Sequence, residues 1–201
     1  MNLRKYFIMG SQNCDHDPTT ILEEAAKAGI TAFQFREKGK GSLTGKEKRE
    51  LGFKLRDICA RHHVMFFVND DIELAEPLEA DGIHVGQDDM RLDELRERFP
   101  DKIIGLSVSN QHEVDSSPVH LADYLGAGPI FSTSTKDDVK QAVGTEWIKV
   151  LKHHYPDIPI VGIGGINEQN AASVINAGAD GVSVISAITK AENIEAVVEN
   201  L

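Results

Sequence analysis

Eight short apolar runs, rich in β-branched and aromatic residues, constrain this chain more than any other feature: KYFIMG, TAFQFRE, VMFFVND, GIHVG, KIIGLSV, YLGAGPIF, PIVGIGG and GVSVISA. Amphipathic stretches separate most of them. Such alternation of strand and helix requires parallel strands joined by right-handed crossovers. Eight units fit a (β/α)8 barrel at the lower end of its size range, about 200 residues. The expected fold is therefore α/β, a single-domain TIM barrel over residues 1–201, because no stretch has the composition of an interdomain linker. An open doubly wound sheet is the competitor, but IMGSQNCD after the first run offers one glycine where a dinucleotide fingerprint needs three. Asp17 and Pro18 predict an N-cap and first helical residue, with Gly29 beyond the end, and Asn167 predicts the start of another helix closed by Gly178. The connections containing Pro77 and Pro118 are the weakest helix candidates.

Composition narrows the class of partner. A formal net charge of −11 argues against a polyanion-binding surface, since nucleic-acid binders carry a basic face. Small anionic substrates need only a few cations placed locally. Cys14 and Cys59 have neither metal-ligand spacing nor a CxxC pair and read as reduced thiols. The amino-terminal apolar run is too short for a secretory signal, and no run approaches the roughly 20 apolar residues of a membrane span. A soluble cytoplasmic protein is expected.

In a barrel of this kind the chemistry sits at the carboxyl ends of the strands. On the second run, alternation puts Gln34, Arg36 and Lys38 on one face, with Phe33 and Phe35 on the other. Helices cover the outside of a parallel barrel, so the polar set must line its interior or rim. The third run ends in Asn69, Asp70 and Asp71 and the fourth in Gln87, Asp88 and Asp89. Neighbouring strands about 5 Å apart bring one carboxylate from each to a common rim. A hard divalent cation such as Mg2+ suits that pair, because it takes one or two carboxylates and completes its shell with water and phosphate oxygens. One acid of each pair reads as a helix cap, which leaves a single acid per strand as the expected metal ligand.

The seventh run ends in VGIGGI and the eighth in VISA. Bare glycine backbone leading into helix starts offers N–H groups to an anion, and the loops after strands seven and eight are the usual phosphate cradle of this fold. After strand six, Ser132, Thr133, Ser134, Thr135 and Lys136 offer hydroxyls and an ammonium within five residues. The histidines form no HExxH or His/Cys cluster, and His84 reads as a core or rim residue rather than a base. A GxSxG elbow is absent too.

Together, YFIMGS, QFREK, VNDD, ADGIHVGQDD, the GPIF segment with Thr133, Thr135 and Lys136, PIVGIGGI and AGADGVSVISAI resemble the thiamine-phosphate synthase family almost end to end. The resemblance implies that hydroxymethylpyrimidine diphosphate loses pyrophosphate while its methylene carbon is captured by the ring nitrogen of thiazole phosphate. It implies that Arg36, Lys38, Asn69 and Lys136 meet the diphosphate, with Ser107 beside the pyrimidine and the departing group. Arg36, Lys38, Ser107 and Lys136 are then the catalytic set. Gln34 falls on the pyrimidine side, and Phe35 and Glu37 are carried with it as substrate-binding. Asp70 and Asp89 would hold Mg2+, while Thr133, Ser134, Thr135, Gly165, Ile185 and Ser186 would receive the thiazole phosphate. A homodimer is also implied. Ser132 departs from the proline usual in the family, and VSN follows where a histidine-containing segment is common after Ser107. Two alternatives are a thiazole tautomerase, which would dispense with the metal and diphosphate set, and a non-catalytic phosphate-ligand sensor.

Overall fold

The computed structural model describes residues 1–133 and 141–201. Eight parallel strands close on themselves in chain order, β1 pairing with both β2 and β8. They are β1 (Lys5–Met9), β2 (Ala32–Phe35), β3 (Met65–Asn69), β4 (Gly82–Val85), β5 (Ile103–Val108), β6 (Tyr124–Ala127), β7 (Ile160–Ile163) and β8 (Gly181–Val184). Each arises from one of the eight apolar runs, as the alternation predicts.

Helices α1 (Pro18–Lys27) and α2 (Gly45–Arg61) follow β1 and β2. Asp17 caps α1 by accepting from the Thr19 amide at 2.8 Å, Pro18 is its first residue, and Gly29 follows with φ 98°. Helices α3 (Leu92–Arg98), α4 (Gln111–Asp115), α5 (Glu146–His154), α6 (Ala171–Asn176), α7 (Ser186–Thr189) and α8 (Ile194–Glu199) cover the remaining strands. The two proline-containing connections are indeed the poorest in helix. Only a 3-10 turn, Ile72–Leu74, lies between β3 and β4, and α4 is short and followed by another at Val119–Leu121.

One expected boundary moves. Asn167 does not start α6, whose first residue is Ala171. Asn167 Oδ1 accepts from the Gln169 amide at 2.9 Å and Asn170 Oδ1 accepts from the Asn167 amide at 2.9 Å. Local side-chain bonds of this kind compete with helical ones, so a turn precedes the helix.

Alternation along the strands sorts the apolar residues into two layers. Phe7, Phe33, Phe66, Leu106 and Val182 pack outward with helix residues such as Leu22, Leu55 and Leu151. Tyr6, Ile8, Phe67, Tyr124 and Val161 pack inside the barrel. Both faces of each strand are thereby buried, as parallel barrels require. The inner rings of Tyr6, Phe67 and Tyr124 stack around one another with centroids 5.3–6.0 Å apart. They plug the barrel beneath the strands' carboxyl ends.

The opposite end repeats one device four times. Asp81, just before β4, donates its amide to the Phe66 carbonyl at 2.8 Å and accepts the Phe66 amide on Oδ2 at 2.7 Å. Asp123 before β6 does the same with Ile104 at 2.8 and 2.7 Å, and Asp180 before β8 with Ile160 at 2.8 and 2.8 Å. Thr31, before β2, pairs likewise with Lys5 at 2.9 and 3.0 Å. In each case a side chain extends the strand ladder beyond its last backbone pair. These polar residues thus belong to fold closure, at the end remote from the strands' carboxyl termini.

Candidate active site

The carboxyl ends of the strands surround an open cavity. From β2 and its continuation it receives Arg36 and Lys38; from β3, Asn69; from β4 and the turn beyond it, His84 and Asp89. Ser107 on β5, Thr133 after β6, Gly165 after β7, and Ile185 and Ser186 after β8 complete the predicted residues on its wall.

Arg36 is held in place by its amide, which donates to the Met9 carbonyl at 2.9 Å, and only 8% of the residue is exposed. Lys38 Nζ lies against Asp70 Oδ2 and is 3.7 Å from Asp89 Oδ1. The two acids that the sequence assigns to adjoining strand ends therefore converge on one cation. Asp70 is aimed there by a left-handed backbone, φ 45°, with its amide donating to the His84 carbonyl at 2.9 Å. Asp89 is fixed by accepting the Gly86 amide on Oδ2 at 2.7 Å. Hydrogen bonding to Asp70, reinforced by the charges of Asp70 and Asp89, raises the Lys38 pKa, against the opposing effect of partial burial. Its ammonium therefore stays charged at neutral pH.

Asp71 takes another direction and pairs with Lys48 of α2 at 2.7 Å. It opens the 3-10 turn Ile72–Leu74, although its side chain makes no capping bond.

Two oxygens converging on an ammonium make a donor set that suits Mg2+. Hard carboxylate ligands, a half-open position and adjacent cations match an ion that keeps waters and binds through one or two carboxylates plus phosphate oxygens.

Three predicted substrate-binding residues lie elsewhere. Phe35 belongs to the layer between strands and helices, because alternation turns it away from the barrel axis. The Glu37 carboxylate accepts from the Ser11 amide at 2.8 Å, the Leu43 amide at 2.6 Å and the Ser11 hydroxyl, fastening the loops after β1 and β2 together. Gln34 points inward but below the cavity, 1% exposed, and donates to the Tyr6 hydroxyl at 3.0 Å. Ser134, Thr135 and Lys136 lie outside the described residues.

Gln34 begins a buried polar chain that sequence inspection does not find. Tyr6 and Tyr124 hydroxyls are 2.9 Å apart, Tyr124 is 2.8 Å from His84 Nδ1, and His84 Nε2 is 2.8 Å from Ser107 Oγ. Burial raises the pKa of both tyrosines above the usual phenol range, so each keeps its proton. A neutral His84 then allows two consistent directions. When Tyr124 donates to Nδ1, Nε2 donates to Ser107 and the serine can donate to a ligand. When Nδ1 donates to Tyr124, Ser107 donates to Nε2 and offers its lone pairs outward. His84 is thus a buried residue on the cavity wall, in keeping with a core or rim position, and it orients Ser107. Its signal in the sequence is parity, since Ile83 and Val85 beside it pack outward.

Across the cavity, Gly164 and Gly165 have φ of 97° and 64°. A Cβ on Gly164 would stand 2.5 Å from Pro129 Cβ, and one on Gly165 would stand 2.7 Å from the Ser132 carbonyl oxygen. Both glycines are therefore required by the approach of the β6 loop, and that close packing also brings bare backbone to the cavity wall.

Residues 5–188 match the family described as thiamine monophosphate synthase. A thiamine-phosphate synthase of Oceanobacillus iheyensis is 59% identical over 199 residues, covering 99% of this chain and 97% of the relative. Thiamine-phosphate synthase 1 of Streptococcus pneumoniae is 48% identical over 200 residues, covering 99% and 96%. Among solved structures, thiamine phosphate pyrophosphorylase from Pyrococcus furiosus superposes with a TM-score of 0.87 at 34% identity, covering 99% of this chain and 93% of that one. With matches this extensive in sequence and in fold, the chain belongs to the thiamine monophosphate synthase family.

Proposed function

We propose that this chain, a transferase with thiamine-phosphate synthase activity by its family, condenses hydroxymethylpyrimidine diphosphate with thiazole phosphate by a Mg2+-dependent, dissociative route. The observation that carries the mechanism is the convergence of Lys38, Asp70 and Asp89 at one side of the cavity that Gly165, Ile185 and Ser186 line on the other.

Arg36, Lys38 and Asn69 bind the diphosphate, with Lys136 as a further cation from outside the described residues. Negative charge grows on the departing pyrophosphate, and preoriented cations stabilise it there more than in the bound substrate. Asp70 and Asp89 would hold Mg2+, which when bound supplies further neutralisation of the diphosphate oxygens. Ser107, oriented by His84, hydrogen-bonds the pyrimidine end beside the leaving group. Thr133, Gly165 and the Ile185–Ser186 backbone receive the thiazole phosphate, together with Ser134 and Thr135. Holding the thiazole nitrogen in line with the methylene carbon removes most of the entropic barrier to capture. Gln34 contributes through Tyr6 rather than by direct contact, and Phe35 and Glu37 shape the strand and loop behind Arg36 and Lys38.

The same reading places the protein in the cytoplasm and in a homodimer. The family resemblance supports this, and among the described residues no helix is long and apolar enough to cross a membrane. The retained cation and carboxylate set favours the synthase over a tautomerase, which has no diphosphate to hold.

The test is pyrophosphate release by the purified protein given both substrates, with Mg2+ and with chelator. Release that requires both substrates and the metal is expected. Release undiminished by chelator would remove the metal from the mechanism, and no release from folded protein would remove the synthase reaction.

A further inference from the structure

Ser183 lies on β8, its Cα paired with Tyr6 of β1 on one side and Ile163 of β7 on the other. It is 3% exposed, yet it lines the cavity. Among the described residues, its Oγ is one of two buried side-chain polar atoms without a hydrogen-bond partner. The other, Gln12 Oε1, belongs to a side chain whose amide nitrogen donates to the Arg36 and Lys38 carbonyls at 3.0 and 3.1 Å, and Gln12 does not line the cavity. The hydroxyls of Tyr6, Tyr124 and Ser107, which share the barrel interior with it, all belong to the polar chain. A buried hydroxyl left unpaired destabilises the fold. Its position on a cavity wall implies that a ligand supplies the missing partner.

The surroundings define that ligand. Ser183 sits two residues before Ile185, so it lies roughly 6–7 Å deeper than the rim at the strand rise per residue. His84 and Ser107 share this inner wall, and Gly126 exposes bare backbone between them, its absent Cβ only 3.1 Å from His84 Cε1. Ile163 and Ile185 supply apolar faces. A flat ring with several polar edge atoms fits this set. The aminopyrimidine offers ring nitrogens and an exocyclic amine, whereas the thiazole edge offers a single nitrogen and its phosphate belongs at the rim.

We propose that Ser183 is a substrate-binding residue that hydrogen-bonds the polar edge of the aminopyrimidine ring at the cavity floor. This inference rests on the proposed function, deepening its account of the diphosphate substrate.

The experiment is calorimetric titration of the full chain and of Ser183→Ala with hydroxymethylpyrimidine diphosphate plus Mg2+, and separately with thiazole phosphate. Melting temperatures and pyrophosphate release are measured in parallel. The variant should bind the pyrimidine diphosphate about fivefold to tenfold more weakly, the scale of one hydrogen bond. It should bind thiazole phosphate unchanged and melt no lower than the parent. Equal pyrimidine affinity, or a loss confined to thiazole phosphate, overturns the proposal while parental turnover preserves the synthase reading. A parent that binds neither substrate overturns both. Should the alanine variant fail to fold, Ser183→Cys, close in size and weaker in hydrogen bonding, makes the same comparison.

Discussion

Asp70 combines two demands that few residues satisfy together. Its φ of 45° lies in the left-handed region, which Asp and Asn tolerate better than most residues, and its carboxylate must reach the cation shared with Asp89. Asp70→Asn preserves the backbone preference while removing the charge, and Asp89→Asn removes the other half of the pair. Each change should lower Mg2+-dependent turnover by about 10²-fold or more, the scale of losing one preorganised electrostatic contact. Melting temperatures should move by only a few degrees. Turnover measured against Mg2+ concentration checks this, and parental activity with unchanged metal dependence in both variants would remove Asp70 and Asp89 as ligands. Lys48 acts one step further out, holding neighbouring Asp71 at 2.7 Å and thereby anchoring the turn that carries Asp70.

Among secondary-structure elements, the two ends of the strands divide their labour. At the end remote from the cavity, Thr31, Asp81, Asp123 and Asp180 each close a pair of strands through a reciprocal amide and side-chain bond. Two of the acids also meet a cation, Asp123 with Arg96 at 2.7 Å and Asp180 with Lys152 at 2.8 Å. Asp81→Ala should therefore cost about 1–3 kcal/mol, because it leaves the Phe66 amide without its acceptor. Urea midpoints would show the loss. The Michaelis constants for both substrates should stay at parental values, since the residue stands at the opposite end of the barrel from the cavity. A raised Michaelis constant at unchanged stability would reverse this assignment.

For the molecule as a whole, the buried tyrosine pair links ionisation to the fold. Burial raises the pKa of Tyr6 and Tyr124 above the phenol value of 10.0. The unfolded chain therefore releases these protons first as pH rises. Their contribution to stability is complete below about pH 10 and declines as pH climbs from there toward the folded-state values. Two of the three tyrosines in the sequence should thus ionise only together with loss of circular dichroism. Tyrosinate absorbance recorded alongside ellipticity tests this; full ionisation of all three in a chain that retains its native spectrum would contradict it. The same plug couples whole-barrel integrity to the site, because the polar chain from Gln34 to Ser107 crosses β2, β1, β6, β4 and β5.

The sequence by itself determined the eight strands, their parallel order and the cavity-lining residues Arg36, Lys38, Asn69 and Asp89, because strand parity and run endings are local properties of the chain. It also carried the convergence of Asp70 and Asp89, since consecutive strands of a barrel are neighbours. Local pattern was insufficient where side chains choose between partners. Asn167 forms a turn before α6 instead of starting it, the Glu37 carboxylate accepts from the Ser11 and Leu43 loop amides, and Gln34 sits beneath the cavity rather than on its wall. The Asn167 turn is made by partners within three residues, whereas only tertiary structure decided the places of Glu37 and Gln34, and only it joined Tyr6 to Tyr124, 118 residues apart, and Tyr124 to His84. A hydroxyl's partner depends on which strands closure brings face to face across the barrel. For the same reason, the unpaired oxygen of Ser183 becomes visible only once the strands enclose it.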